Sequence, residues 1–137
     1  MLIVFGGLPG TGKTTIARAL GERLKAVYLR IDSIEQAIRA SSVLPPQAEV
    51  SPEGYFVACH LAADNLRMGR TVITDSVNPD SVTRDAYKAV AENQNVGFLE
   101  VEVVCSDKAE HRKRIETRKS DIAGLVLPTW QSVVARA

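Results

Sequence analysis

The sequence predicts an α/β domain in which helices cover both faces of a parallel sheet. Short apolar runs alternate along the chain with segments of helical periodicity, which is the pattern of strand–helix–strand units. The first run, residues 2–5, is apolar at every position, as expected of a strand buried on both faces. The chain has 137 residues, of which 45% are hydrophobic and 24% charged, so we expect one domain over residues 1–137 with a single core.

The expected elements follow from these runs and from the turn residues between them. The strands are expected at 2–5, 27–31, 71–75 and 98–104. The first helix is expected at about 12–25, where Ile16, Ala19, Leu20 and Leu24 recur with helical period, and a short second helix follows Asp32 with Ser33 as its cap. The third helix is expected to begin with the cap Ser51 and Pro52 and to end at Met68 before Gly69, and the fourth to begin at Asn78-Pro79 with Val82, Ala86 and Val90 facing inward. The fifth helix is expected to run from a cap at Ser106 or Asp107 to about Lys119, and a short sixth helix to follow Thr129. Residues 41–52, with three prolines and three serines, are the most loop-like stretch.

Composition and charge give no indication of a nucleic-acid partner, a membrane or secretion. A formal net charge of +1 gives no global reason to expect nucleic acid or an anionic membrane as partner. No apolar run approaches the roughly 20 residues that span a bilayer, and the glycine-rich loop starts too early to leave room for a signal peptide. Cys59 and Cys105 match no metal or redox spacing, so two reduced, buried thiols and a cytoplasmic location are expected.

The most informative motif is the loop between the first strand and the first helix, which has the Walker A spacing Gly-x-x-x-x-Gly-Lys-Thr. Glycines let successive backbone amides turn toward a phosphate chain, and the following helix adds positive potential at its N-terminus. In this interpretation Lys13 reaches the β- and γ-phosphates of ATP, and the Thr14 hydroxyl is a ligand of Mg²⁺. The alternative is a glycine-rich turn with a chance lysine, but the flanking strand and helix favour a nucleotide site. The predicted cofactor-binding residues are Gly7, Leu8, Pro9, Gly10, Thr11, Gly12, Lys13, Thr14 and Thr15.

Two aspartates are expected at the carboxyl ends of strands, where ligands bind in parallel sheets. Asp75 follows an apolar strand and is predicted to hold Mg²⁺, the alternative being a helix cap or a turn residue. Its neighbour is Ser76 rather than the glutamate typical of mechanical ATPases. Asp32 is predicted to accept the proton of a substrate hydroxyl that attacks the γ-phosphate, the alternative again being a helix cap.

The only concentrated positive charge lies at residues 111–119. On a helix, Arg114 and Arg118 project from one face, where their guanidiniums can clamp the γ-phosphoryl group. The alternative is a solvated helix face with interspersed acidic residues. The following loop, with a glycine and a proline, favours a lid at about residues 112–128.

These residues resemble those of the small P-loop kinases, a group that includes gluconate kinase, adenylylsulfate kinase, chloramphenicol phosphotransferase, polynucleotide kinases, zeta toxins and bacterial proteins described as predicted kinases or ATP-binding proteins. The resemblance implies a three-layer P-loop NTPase fold, ATP and Mg²⁺ as cofactors, and site roles for Asp32, Asp75, Arg114 and Arg118. It also implies a sheet of order 2-3-1-4 extended by a fifth strand, for which no apolar run remains before Ala137. An exposed fourth strand could then mediate dimerisation of an otherwise monomeric chain.

The function expected from these residues is transfer of the γ-phosphoryl group of ATP to a hydroxyl of a small-molecule acceptor. Lys13, Asp32, Arg114 and Arg118 are the expected catalytic residues, and Thr14 and Asp75 the expected metal ligands. Two alternatives stay open: a nucleotide-binding regulatory module with little or no transfer activity, and a kinase of 5′-hydroxyl nucleic-acid ends. The near-neutral charge disfavours the second of these.

Overall fold

The structure is a computed structural model that describes residues 1–41, 53–78 and 80–135. The cap expected at Ser51-Pro52, residue Pro79 and most of the loop predicted over 41–52 lie outside the described residues. The strands are β1 (Leu2–Gly6), β2 (Val27–Arg30), β3 (Val72–Asp75) and β4 (Phe98–Glu102). The helices are α1 (Lys13–Leu24), α2 (Ile31–Ser41), α3 (Glu53–Arg67), α4 (Ser81–Asn93), α5 (Lys108–Thr117) and α6 (Trp130–Val134).

The described strands form one parallel sheet in the order β2-β3-β1-β4, which confirms the predicted order. The register places Phe5 of β1 and Arg30 of β2 on either side of Asp75, the last residue of β3. The carboxyl ends of these strands therefore meet at one edge of the sheet, directly before the glycine-rich loop. Within the described part of the chain, β4 pairs only with β1, so its outer edge has no partner strand.

Helices cover both faces of the sheet, as predicted. On one face the strands pack against α3 and α4, and the buried cluster includes Val4, Val72, Ala58 and Tyr87. On the other face Phe5, Ile3 and Ile73 pack against Ala17 of α1. Because alternate residues of a strand point to opposite faces, β1 and β3 supply both clusters, and residues 2–5 of β1 are apolar at every position.

In two helices, not all of the periodic apolar residues face the sheet, although Leu20 of α1 packs against the core. In α1 the buried residues are Ala17 and Gly21, whereas Ile16 and Leu24 are each 49% exposed. Small side chains at the contact let the helix axis lie close to the sheet, so the larger residues lie beside the contact rather than in it.

In α4, Tyr87 and Ala91 are buried, and Val90 packs against the same cluster. The predicted inward position of Val82 is wrong because this side chain is 74% exposed, and Ala86 is exposed as well. The Tyr87 ring fills the core and its hydroxyl lies 3.4 Å from Ser76 Oγ, which fixes the rotation of the helix.

Several boundaries also differ from the prediction. The chain passes from β2 into α2 without an intervening residue, so Asp32 and Ser33 lie in the first turn of the helix and Ser33 is not its cap. A short apolar run such as 27–31 does not distinguish the end of a strand from the start of a helix. The cap of α4 is Asp80, which accepts a hydrogen bond from the Thr83 amide, and not Asn78, which has a positive φ of 51°.

The predicted caps of the last two helices are confirmed. Asp107, and not Ser106, caps α5, since its carboxylate accepts hydrogen bonds from the amides of Ala109 and Glu110. Thr129 caps α6. The cysteine thiols are free and only partly buried, which corrects the expectation of two buried thiols. None of the described helices combines the length and apolar character needed to cross a bilayer.

Candidate active site

The loop between β1 and α1 has a backbone shape that depends on its glycines. Gly7, Gly10 and Gly12 have φ values of 138°, 78° and 93°, a region that residues with a Cβ seldom adopt. A Cβ at Gly7 would collide with the Val103 carbonyl oxygen, and one at Gly10 would lie 2.6 Å from Ile115 Cδ1. Inside the loop, the Thr11 hydroxyl donates to the Leu8 carbonyl at 2.9 Å. The loop thus has the conformation and the close surroundings that a phosphate cradle needs.

Asp75 is the centre of a polar cluster immediately behind this loop. Lys13 Nζ lies 3.0 Å from Asp75 Oδ1, and the Thr14 hydroxyl donates to Oδ2 at 2.7 Å. The Tyr28 hydroxyl also donates to Oδ2, at 2.5 Å. The predicted phosphate lysine and the two predicted metal ligands are therefore in direct contact.

The Asp75 carboxylate is stabilised in its charged form. Burial alone would raise its pKa, because only 1% of the side chain is exposed. The Lys13 ammonium and the hydrogen bonds from Tyr28 and Thr14 outweigh burial, so that the pKa of Asp75 lies below its ordinary value. Burial, followed by the hydrogen bond to the Asp75 carboxylate, raises the pKa of the Tyr28 hydroxyl. Tyr28 is accordingly a hydrogen-bond donor, and Asp75 an anion, at neutral pH.

Helix α5 packs directly on the glycine-rich loop. His111 and Ile115, one turn apart, are its buried residues. His111 Nε2 lies 2.7 Å from the Pro9 carbonyl oxygen. The His111 and Trp130 rings pack edge-to-face, with their centroids 5.1 Å apart. These contacts fix which face of α5 is turned toward the loop.

Arg114 lies on this face, close to the phosphate loop. Its Nη1 atom is 4.0 Å from the position that a Cβ on Gly12 would occupy. Its Nε donates to Glu110 at 3.2 Å, and about half of the side chain is exposed. Arg114 can therefore reach a phosphate held by the loop.

Arg118, one turn further along, lies toward Asp32 instead. It follows the last turn of α5, and its half-buried guanidinium interacts electrostatically with Asp32 and with Arg30. Asp32 is exposed and makes no hydrogen bond or ion pair with any described residue, so it does not act as a helix cap.

The loop after α5 is held against β2 and the first two helices. Asp121 binds Arg30 Nη1 through both carboxylate oxygens at 2.9 Å and Arg18 Nη2 at 2.6 Å. Gly124 lies against Gln36 of α2, because a Cβ at Gly124 would be 2.9 Å from Gln36 Nε2. The segment predicted as a lid thus lies against β2, α1 and α2 in this structure.

Comparison with known proteins places this geometry in a family. A family model described as "AAA domain" matches residues 2–134. The chain belongs to this family. An uncharacterized protein of Mycobacterium tuberculosis is 27% identical over 109 residues, which cover 72% of this chain and 22% of that protein. The chain thus spans about a fifth of the length of the curated relative.

Solved structures confirm the fold. Kti12 of Chaetomium thermophilum, in complex with ADP-AlF3, is 21% identical with a TM-score of 0.74, over 99% of this chain and 79% of that one. The APS kinase of Mycobacterium tuberculosis, in complex with AMPPNP and APS, is 21% identical with a TM-score of 0.66, over 82% of this chain and 66% of that one. The likeness to P-loop kinases inferred from the sequence is therefore confirmed for the family and the fold.

The residues beside the loop are suited to Mg²⁺ bound together with a nucleotide. Thr14 Oγ1 and Asp75 Oδ2, which are 2.7 Å apart, are oxygen atoms of the kind that Mg²⁺ binds. This ion usually has one or two protein oxygens as ligands, together with phosphates and water. The described residues contain no group of three or more His, Cys, Asp or Glu side chains that could form a metal cage. This AAA-domain chain would accordingly hold the ion through Thr14, Asp75 and the bound phosphates.

Sequence reasoning missed three contacts at the site. The sequence predicts Tyr28 only as a residue of a strand, with no role at the site. The alternation of side chains along the strand indicates that Tyr28 faces away from its two neighbours, but it does not identify a polar partner. His111 had no recognisable partner because its partner is a backbone carbonyl, which leaves no sequence signal. The Asp121 clamp joins residues from separate elements, and neither Arg18 nor Arg30 belongs to a motif.

Proposed function

We propose that this chain is an ATP-dependent phosphotransferase that moves the γ-phosphoryl group of ATP to a hydroxyl of a small-molecule acceptor. The single observation that carries the proposal is the contact of Lys13 and Thr14 with Asp75, directly behind a loop of Walker A spacing. Membership of a P-loop family, and the kinase among its structural neighbours, support nucleotide-dependent phosphotransfer.

The chain's own residues supply positioning and charge. The loop amides and Lys13 hold the phosphate tail, and Arg114 lies close enough to stabilise negative charge on the γ-phosphoryl group. Thr14 and Asp75 would hold Mg²⁺, which would supply positive charge against the phosphates. Asp32 accepts the proton of the acceptor hydroxyl as its oxygen forms a bond to the γ-phosphorus. The bond from that phosphorus to the bridging oxygen breaks, and ADP leaves.

A second candidate is a regulatory module that binds ATP and transfers nothing. It is favoured by the structural likeness to Kti12, which is not named as a kinase. It is also compatible with Ser76 following Asp75, a position at which mechanical ATPases place a glutamate. The two candidates differ in whether a phosphorylated acceptor forms.

The test is a transfer assay with the full chain, Mg²⁺ and ATP labelled in the γ-phosphate. Sugars, sugar acids, nucleosides, amino alcohols and a 5′-hydroxyl oligonucleotide serve as acceptors. We expect labelled product with a small molecule, and a loss of at least about 100-fold in Lys13→Ala. Lys88→Ala is the matched control, because Lys88 is exposed on α4, and it is expected to retain full transfer.

The other outcomes decide against parts of the proposal. ATP binding without a labelled product in any class would support the regulatory module. Labelling of the oligonucleotide alone would make the chain a nucleic-acid kinase. Absence of magnesium-dependent ATP binding in calorimetry would remove the nucleotide site itself.

A further inference from the structure

The Asp75 carboxylate is held by side chains that come from different parts of the fold. Among the described residues, Lys13 Nζ bonds to Oδ1 at 3.0 Å, and the hydroxyls of Thr14 and Tyr28 donate to Oδ2 at 2.7 Å and 2.5 Å. Lys13 is assigned to the phosphates of ATP, and Thr14 to Mg²⁺. Tyr28 has neither task, so its bond to Asp75 needs an explanation of its own.

The ring of Tyr28 is held between the sheet and α1. Tyr28 pairs with Ile73 of β3 and packs on the buried cluster that contains Ile73 and Ala17. The helix comes close at Gly21, where a Cβ would lie 3.9 Å from Tyr28 Cβ. A tyrosine side chain has only two torsions, so a packed ring gives its hydroxyl a defined position. The backbone of β2 and the packing of α1 therefore place this donor, independently of Asp75.

A donor in a fixed position sets the orientation of the Asp75 carboxylate. The last torsion of an aspartate side chain has broad minima, so the backbone of β3 alone does not fix the plane of the two oxygens. The Tyr28 hydroxyl binds Oδ2 and thereby selects one orientation. Because only 1% of the Asp75 side chain is exposed, little water can take the place of this hydroxyl.

The charge of the donor is also suited to a metal site. The Lys13 ammonium holds the same carboxylate, but its positive charge opposes a cation there. The Tyr28 hydroxyl is neutral, and it can keep its bond to Asp75 while a cation is bound. Tyr28 can therefore orient the carboxylate when Lys13 has turned to the phosphates.

We propose that Tyr28 is a positioning residue for the metal site, in that its hydrogen bond holds the Asp75 carboxylate in the orientation that binds Mg²⁺ together with ATP. Groups that orient a metal ligand in this way change metal affinity without touching the ion. The inference rests on the nucleotide site of the proposed function, and it is independent of the acceptor and of the transfer step. A hydroxyl that only satisfies a buried carboxylate would affect stability and not the response to the cation.

The first test separates the cation from the nucleotide. The full chain is titrated with AMPPNP in a calorimeter at pH 7, first in EDTA and then at a series of free Mg²⁺ concentrations. In Tyr28→Phe we expect the half-saturating Mg²⁺ concentration to rise about 10-fold, the lower end of the effect of such orienting partners. AMPPNP affinity in EDTA is expected to match that of the parent chain. Tyr55→Phe, which loses a hydroxyl bound to neutral groups, is the control and is expected to keep the parent's response to Mg²⁺.

The second test distinguishes orientation from charge by replacing Mg²⁺ with Ca²⁺. Mg²⁺ demands near-ideal octahedral geometry, whereas Ca²⁺ accepts a flexible arrangement of oxygens. If Tyr28 orients Asp75, its loss affects the ion with the stricter geometry more. We therefore expect the half-saturating Mg²⁺ concentration to rise more than the half-saturating Ca²⁺ concentration in Tyr28→Phe. Circular dichroism establishes that the variant is folded.

The outcomes separate this inference from the proposed function. An unchanged half-saturating Mg²⁺ concentration in folded Tyr28→Phe, or an equal loss of AMPPNP affinity with and without Mg²⁺, would overturn the positioning role and leave the kinase intact. Equal effects on Mg²⁺ and Ca²⁺ would overturn the role in orientation. The expected shifts in a chain that phosphorylates no acceptor would retain the positioning role and remove the enzyme. Absence of Mg²⁺-dependent AMPPNP binding in the parent chain would overturn both.

Discussion

Lys13 and Asp75 form an ion pair at 3.0 Å in which the aspartate side chain is 1% exposed and the lysine side chain 11%. The pair joins the start of α1 to the end of β3, and its two residues are 62 positions apart in the sequence. The lysine assigned to ATP phosphates is therefore held by the aspartate assigned to Mg²⁺. A bound nucleotide would offer Lys13 phosphate oxygens in place of the carboxylate, and would leave Asp75 to the cation.

Asp32→Asn tests the proton acceptor. The amide keeps the size of the side chain but cannot take up a proton, so we expect turnover to fall by about 100-fold while ATP affinity is unchanged. Steady-state kinetics with the accepted alcohol and calorimetry with ATP provide the two measurements. Asp85→Asn, at an exposed position of α4, is the control and is expected to retain turnover. Normal turnover in Asp32→Asn would show that another group accepts the proton.

Tyr28→Phe tests the hydrogen bond from the β2 hydroxyl to Asp75. The substitution keeps the packed ring and removes a donor to a charged carboxylate, so we expect a loss of about 1–2 kcal/mol in the free energy of unfolding. Urea denaturation measures this quantity. Tyr55→Phe is the matched control because its hydroxyl contacts neutral groups, Ser76 and the Asn78 amide, which donates to it at 3.4 Å, and not a charged carboxylate. Equal losses in the two variants would mean that the contact with Asp75 adds no stability.

The pH dependence of stability follows from the lowered pKa of Asp75. Since the folded chain holds this group at a lower pKa than the unfolded chain, the unfolded state binds more protons and stability rises with pH. The contribution is complete above the unfolded pKa of about 3.9, and it is lost as pH falls through the lower folded value. Urea midpoints at pH 6 and pH 3 should therefore differ more for the parent chain than for Asp75→Asn.

Two other carboxylates leave some pH dependence of stability in the Asp75→Asn variant. Hydrogen bonds lower the pKa of Asp121, chiefly from Arg18, and of Asp80, chiefly from the Thr83 amide. Both act in the same direction as Asp75, so we expect a smaller pH dependence in Asp75→Asn rather than none. An unchanged pH dependence would show that Asp75 does not contribute.

Gly10→Ala tests the fit between the phosphate loop and α5. Gly10 has a positive φ, and its new methyl group would overlap Ile115 Cδ1 at 2.6 Å, so we expect both lower stability and weaker ATP binding. Gly69→Ala measures the cost of placing a residue with a Cβ at a positive φ, since Gly69 has a φ of 80° and nothing lies within 4 Å of its Cβ position. This backbone strain alone is expected to lower the free energy of unfolding by about 1–2 kcal/mol. Equal costs for the two variants would exclude a steric role of α5 at the loop.

The order of the elements and the phosphate loop could be predicted from the sequence because they depend on local properties. Apolar runs and helical periodicity identify strands and helices within a few residues, and the spacing of Gly7, Gly12 and Lys13 defines the loop. The weaker predictions concern orientation. Val82 was expected to face inward, yet Tyr87 and Ala91 fill the core instead. Periodicity does not specify which of several apolar stripes meets the sheet.

The sequence by itself determined the nucleotide-binding loop, the sheet order implied by its resemblance, and the candidate residues at the strand ends. Only the tertiary structure decided that Tyr28 bonds to Asp75 and that His111 meets the Pro9 carbonyl, contacts that span 47 and 102 residues. It also decided that Arg114 lies at the phosphate loop and Arg118 near Asp32. Local patterns encode backbone conformation, whereas partners across the sheet are set by how the helices pack on it, because burial can be satisfied by several faces of one helix.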